Sequence, residues 1–504
     1  MRETMTEKNR DQPVADVQGQ ATSSQPLDDA WNFLDKHGDV QHTDVDLVAI
    51  RHKVDRRILP FMFCCYFLQF IDKVMYNYAG VMGMKTDLDL KGNNFSNGAS
   101  AFFIASLVAE VPNTYLLQKV PPAKWLSINV MLWGVAAAAA AGAKNYTTLL
   151  VARIFLGIFE APVAPSLMII SSQYYTKSEQ APRFTFWFLG LGVAQIIGGL
   201  ISFGFQHVHH AFAGWRIMFL VMGLITVAVG FITLLSLPDT PMQAKWLSND
   251  QKVMLLQHVR VNQTGIRNGK FDPKQLLEAV LDPQVWLWAL MLALQAVSSG
   301  VVVVYSSTLI ADFGFGGPIS ALLNTPSGIV SIFFTLLVGI GVRKTSNRWA
   351  WVFICSIPGI IGGGLMSFLP KNNRAGVLIG IYLVNAIVAP TPVIYHWIAA
   401  NCAGYTKRAF TSAVVAGFFC VGNIIGPQTF QARDAPEYRP AKIAVLVTQA
   451  VAGLLAVVLF GYYVWENRRR DRAQETQEGQ GVVTDEKAWG GLTDKQNKDF
   501  RYVY

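Results

Sequence analysis

The chain has 504 residues, 52% of them hydrophobic and only 15% charged, where soluble domains usually carry about 25% charged residues. That deficit points to lipid as the solvent and argues against a soluble enzyme. The net charge of +9 comes without any Lys/Arg-rich block interleaved with aromatics, which fits basic loops beside a membrane and argues against a nucleic-acid partner. Five cysteines (Cys64, Cys65, Cys355, Cys402, Cys420) lie in or beside apolar segments without C-x-x-C spacing, so neither a disulfide framework nor a zinc site is expected.

Residues 1–55 are polar and lack the apolar core of a secretory signal; they are expected to be a disordered tail. Crossing a hydrocarbon core takes about 20 mostly apolar residues. Such stretches lie near 58–80, 95–118, 124–143, 146–171, 183–206 and 215–237. A polar gap follows, and six more come near 285–311, 319–341, 349–369, 375–399, 409–430 and 441–465. The expectation is an all-α membrane protein of twelve transmembrane helices. An N-terminal half spans 56–237, a linker 238–284 carries a short amphipathic helix, a C-terminal half spans 285–466, and a tail spans 467–504. This layout resembles the major facilitators, whose two six-helix halves surround a central site.

An even helix count puts both tails on one side. Their flanks (Arg51, Lys53, Arg56, Arg57, Arg468, Arg469, Arg470, Arg472) and the short loops of that side carry more Lys and Arg than the opposite loops. Both termini are therefore expected in the cytoplasm; the plasma membrane is the expected location, which the charge count does not address.

Ionised side chains inside a span are costly and mark function by default. Helix 1 carries Asp72 and Lys73, helix 2 Glu110, and helix 4 Arg153 and Glu160. At 1.5 Å per residue, Asp72 lies about 12 Å, and Arg153 about 10 Å, below the same membrane surface. Asp72 or Lys73 can then meet Arg153 at one level, with Glu160 two turns deeper on the same face and Gly157 between them leaving room for a ligand. Arg153 and Lys73 are candidate donors to an anionic substrate, while Asp72 and Glu160 suit proton coupling; static ion pairs are the competing role. Glu110 precedes Pro112, expected to kink the helix, and Asn113; it serves either an inner gate or the substrate. Asn385, Asn423 and Gln428 are candidate substrate amides, with helix bridging the alternative. Asn401, Lys407 and Arg408 are assigned to the inner gate or to structure. His207, His209 and His210 cluster in a loop, read as solvated and not as a metal site; neither metal nor cofactor is expected.

These motifs bring a family into view. Arg153-Ile-Phe-Leu-Gly157-Ile-Phe-Glu160 resembles the helix 4 motif of the anion:cation symporters. Asp72-Lys73 matches that family's Asp-Arg pair, with Lys for Arg, which removes the bidentate fork. Asn401-Cys-Ala-Gly404-Tyr-Thr406-Lys407-Arg408, Gly422-Asn423-Ile-Ile-Gly426-Pro427-Gln428 and Phe500-Arg501-Tyr502 resemble the fungal allantoate-permease-like subfamily. The resemblance implies proton-coupled uptake of a small organic anion (a ureido acid, vitamin carboxylate or short peptide) by a monomeric carrier working by alternating access. Export or facilitated passage of a fungal metabolite, and nutrient sensing with little transport, are the rival readings.

Overall fold

The computed structural model describes residues 46–208, 212–259, 272–370, 373–435, 437–475 and 493–504, together with Phe33. Most of the tail expected to be disordered lies outside the described residues, as do His209 and His210. Among the described residues the regular structure is helical throughout, and twelve helices are long and apolar enough to cross a membrane. The spans of the first half are α1 (Leu47–Val81), α2 (Asn94–Lys119), α3 (Pro122–Ala140), α4 (Tyr146–Glu160 and Val163–Tyr174), α5 (Lys177–Gln206) and α6 (Gly214–Ser236). Those of the second half are α7 (Pro283–Asp312), α8 (Gly317–Leu323 and Thr325–Thr345), α9 (Arg348–Phe368), α10 (Arg374–Val384 and Pro390–Asn401), α11 (Tyr405–Gln428) and α12 (Arg439–Glu475).

Local chemistry sets the ends and breaks. The Asp46 carboxylate accepts from the Val48 N–H at 2.8 Å and starts α1 eleven residues before the apolar run. Ile50, Val54 and Ile58, four apart, are buried there, while Lys53, Arg56 and Arg57 face out and Asp55 pairs with Arg183 of α5 at 2.7 Å. Asn145 and Thr148 form a capping box at the start of α4. Asp282 caps α7, where Pro283 takes the first helical position. Pro162 interrupts α4 because it has no N–H and its ring crowds the preceding turn, so Glu160 is the last residue of the first segment. The linker holds two α-helices, Asn249–Val259 and Pro273–Leu281, where one was expected.

Within the first half α3 packs on α6, α1 on α5 and α2 on α4; within the second, α7 packs on α11 and α12, and α9 on α12 and α10. Between halves, α5 meets α8, α2 meets α11 and α1 meets α7. The α5–α8 seam is tight: a Cβ on Gly192 would stand 2.7 Å from the Gly328 carbonyl oxygen, so only small residues fit. The two linker helices attach to different halves. His258 reaches Glu179 at 3.0 Å on the first half, and Glu278 reaches Lys407 at 2.9 Å on the second.

At the end opposite the linker the halves are sewn together. The Asn77 amide donates to Ser306 Oγ at 2.8 Å and accepts from the Ser307 N–H at 3.2 Å. Asn93 donates to Gln431 at 2.6 Å. Tyr305 stacks on Phe430 at 3.9 Å and meets the edge of Phe95 at 5.4 Å, and Phe95 in turn stacks on Tyr76 at 4.6 Å. Ser96 and the Tyr305 hydroxyl are hydrogen-bonded across the same seam.

Candidate functional site

A cavity of about 160 Å³ lies between the halves, on the linker side of this seal. Its charged wall is Lys73 and Glu160, joined as an ion pair, with Gln69 one turn before Lys73 on α1. Glu110 and Ser106 line it from α2; Tyr395 and Phe419 close it from α10 and α11. Glu160 is 2% exposed and the Lys73 side chain 15%. Their pairing compensates two charges held away from bulk water, at a desolvation cost that neither could bear alone.

Behind this wall lies a second layer. Phe102 separates it from the cavity: its ring takes Lys73 Nζ at 5.6 Å and the Arg153 guanidinium at 4.8 Å. Arg153 is buried, sits 4.3 Å over the Tyr76 ring, and its Nε donates to the Gly98 carbonyl at 3.5 Å. Asp72 is buried in the same layer. Among the described residues neither of its carboxylate oxygens has a hydrogen-bond partner, and neither has Arg153 Nη1. Asp72 feels the charges of Arg153, Glu160 and Lys73, and the Trp133 indole of α3 lies beside it.

The four charges expected to gather from α1 and α4 therefore do gather, but the pairing differs. Lys73 reaches down to Glu160, and Arg153 turns into the aromatic layer, where it does not line the cavity. Gly157 also plays another part than the one expected. A Cβ there would collide with the Phe102 carbonyl oxygen and approach Ser106 Oγ at 3.1 Å, so the glycine brings α4 against α2 and leaves no room for a ligand. Ser106 Oγ donates to the Gly157 carbonyl at 3.0 Å across that contact.

The candidate amides lie elsewhere. Asn385 accepts from Gln195 Nε2 at 2.9 Å, a bridge between α10 and α5, and Asn423 donates to the Phe419 carbonyl one turn back at 2.9 Å. Gln428 donates to Ser100 Oγ at 2.9 Å and Asn97 at 3.1 Å, as part of the seal. Asn113 accepts from the Trp125 indole at 3.2 Å, inside the first half. Asn401 and Lys407 hold residues 493–504, and Arg408 donates to the Ala399 carbonyl at 2.9 Å. The sequence reading missed Gln69, Ser106, Tyr395 and Phe419. For Gln69 a signal was present, since it stands four residues before Lys73 on one helix face.

Twelve apolar helices in two groups, with a charged cavity between them, define an integral membrane transporter of small molecules. Residues 62–427 match the Major Facilitator Superfamily, and the chain belongs to it. It is 40% identical to the thiamine pathway transporter THI73 of Saccharomyces cerevisiae over 90% of this chain and 86% of that one. It is 31% identical to the allantoate permease of the same yeast, over 95% and 91% of the two chains. The resemblance to fungal allantoate-permease-like transporters is borne out. The fold is similar to the partially occluded inward-open xylose transporter XylE from E. coli, with a TM-score of 0.62 and 14% identity over 81% of this chain and 98% of that one.

Proposed function

We propose that this chain is a proton symporter for a small organic anion, working by alternating access in the plasma membrane with both termini and the linker in the cytoplasm. The observation that carries the reading is the Lys73–Glu160 ion pair on the cavity wall. An anion that enters the cavity competes with Glu160 for Lys73. Once displaced, Glu160 would be a buried carboxylate without a counter-charge, a state so costly that it takes up a proton instead. Anion and proton then bind together, and their affinities are reciprocally linked. Release of both toward the linker end restores the pair. Asp72 is the further proton-coupling carboxylate, which exchanges a proton only after Glu160 has taken one, and Arg153 fixes the layer behind Lys73 without touching the substrate.

The seal at the far end and the cavity on the linker side support an inward-facing arrangement in that orientation. Lys73 offers a point charge and no fork, which suits a monovalent carboxylate. The test is uptake of labelled allantoate, used as the probe, into proteoliposomes across an imposed pH gradient. Symport predicts accumulation driven by an acidic exterior and abolished in Glu160→Gln.

A second reading has its own observation. The cavity carries two carboxylates, Glu110 and Glu160, against the one ammonium of Lys73. That balance also fits a cationic or zwitterionic substrate, and one relative is named for the thiamine pathway. Competition of thiamine against labelled allantoate separates the two readings: the anion reading predicts none.

A further inference from the structure

Residues 493–504 lie under the linker end of the second half and take no part in the cavity. Their main anchor is Lys407 at the start of α11. Its side chain is fully buried, and its ammonium meets Asp282 at 2.7 Å, Asp494 at 2.8 Å and Glu278 at 2.9 Å. Three N–H donors thus find three carboxylates, one from the cap of α7, one from helix Pro273–Leu281 and one from the segment itself. Asp494 also accepts from Gln284 Nε2 at 2.8 Å and from the Tyr502 hydroxyl at 2.7 Å. Burial, and then the Asp494 charge, hold the Tyr502 phenol well above its ordinary range, so it remains a proton donor to that carboxylate.

Further along, the Val503 backbone is gripped on both sides. Its N–H donates to Asn401 Oδ1 at 2.7 Å, and its carbonyl accepts from Asn401 Nδ2 at 2.8 Å and the Trp397 indole at 2.9 Å. Asn467 makes the same two-sided contact with the Tyr502 backbone, at 2.9 Å each way. The Tyr502 ring stacks on Tyr463 of α12 at 4.8 Å. Gln284 gives one of its bonds to the segment, beside those to Asp282 and Tyr463, whereas the side-chain amides of Asn401 and Asn467, both buried, spend their hydrogen-bonding capacity on it. Without it they would be left unsatisfied, which is costly for buried polar groups.

These partners lie on helix Pro273–Leu281 or on the second half. Such a segment does not clamp one half to the other; it ties together the linker ends of α7, α10, α11 and α12. Two of those helices, α10 and α11, carry Tyr395 and Phe419 to the cavity. We propose that residues 493–504 are a displaceable intramolecular brace, docked in a groove built for them, that makes the linker end of the second half move as one body.

A native reporter sits beside the groove. Cys402 is 1% exposed and follows Asn401, and the next residue, Ala403, donates its N–H to Asp494 at 3.4 Å. The experiment is N-ethylmaleimide labelling of the purified full-length protein, with the rate at each cysteine read by mass spectrometry; it is independent of the substrate. Asp494→Asn removes one charge from the Lys407 cluster, and Tyr502→Phe is the milder variant that removes only the hydroxyl. The expected result is labelling of Cys402 about tenfold faster in Asp494→Asn, from local opening. A smaller increase is expected in Tyr502→Phe, with buried Cys355 unchanged in both. A synthetic peptide of residues 493–504, in excess, should slow Cys402 labelling again. Unchanged Cys402 rates in both variants would overturn the proposal. So would Cys355 and Cys402 accelerating together, because the segment would then be an inseparable part of the core.

Discussion

Glu160 ends the first segment of α4 one residue before the Ala161–Pro162 break, and its carboxylate is joined there to Lys73 of α1. The break and the ion pair belong together. Pro162 stops the helix at the depth where the cavity begins, so the carboxylate is presented at the cavity wall and not packed within a continuous helix.

Removing one member of this pair should cost more than removing both. Glu160→Gln or Lys73→Met alone leaves a buried partner uncompensated and should lower stability by about 3 kcal/mol. The Lys73→Met/Glu160→Gln double variant should recover much of that loss while remaining inactive. Thermal unfolding of the four proteins in one detergent checks the cycle.

Gly157→Ala tests the contact between α4 and α2. The added methyl has no space against the Phe102 carbonyl, Ser106 Oγ and Ala105 Cβ. Overpacking of this kind costs about 1–3 kcal/mol. The variant should melt earlier and transport less, whereas an open ligand space at Gly157 would leave its melting unchanged and alter only substrate preference.

The fold was legible in the sequence because hydropathy over a span's length depends on composition alone, and six, gap, six is a coarse signal. That Asp72, Lys73, Arg153 and Glu160 would come together was legible too, since rise per residue is fixed. Which cation takes which carboxylate was not. That choice depends on helix rotation and on Phe102, which lies between Lys73 and Arg153 and comes from another helix. The extension of α1 to Leu47 was hidden by Arg51, Lys53, Arg56 and Arg57, which mask the four-residue spacing of Ile50, Val54 and Ile58. The docking of residues 493–504 rests on contacts such as Asn401 with Val503, about a hundred residues apart, and no local pattern announces them.

The aromatic seal predicts a gating phenotype. Tyr305→Ala removes the stack on Phe430 and the hydrogen bond to Ser96. A cysteine placed at Ser96, 1% exposed, should be labelled slowly by a membrane-impermeant reagent from the side opposite the linker. In the Tyr305→Ala background that labelling should be at least several-fold faster.

The anchor of linker helix Asn249–Val259 should depend on pH. Burial pulls the Glu179 carboxyl up, but the Thr176 N–H at 3.0 Å and His258 outweigh it and hold the group below its ordinary range. The part of that depression that comes from His258 stabilises the docked form at neutral pH, and it fades as pH falls through the carboxylate range. A fluorophore at Gln251→Cys should gain mobility on acidification. In Glu179→Gln it should be mobile already at neutral pH, without that transition.

The central claim is that the anion displaces Glu160 from Lys73 and obliges it to take a proton. The direct measurement is proton uptake by the purified carrier in weakly buffered solution when allantoate is added, with binding followed in parallel by calorimetry. The account predicts that wild type takes up protons as the anion binds, and that Glu160→Gln binds the anion without them. Binding by wild type with no proton uptake, or equal uptake by Glu160→Gln, would contradict it.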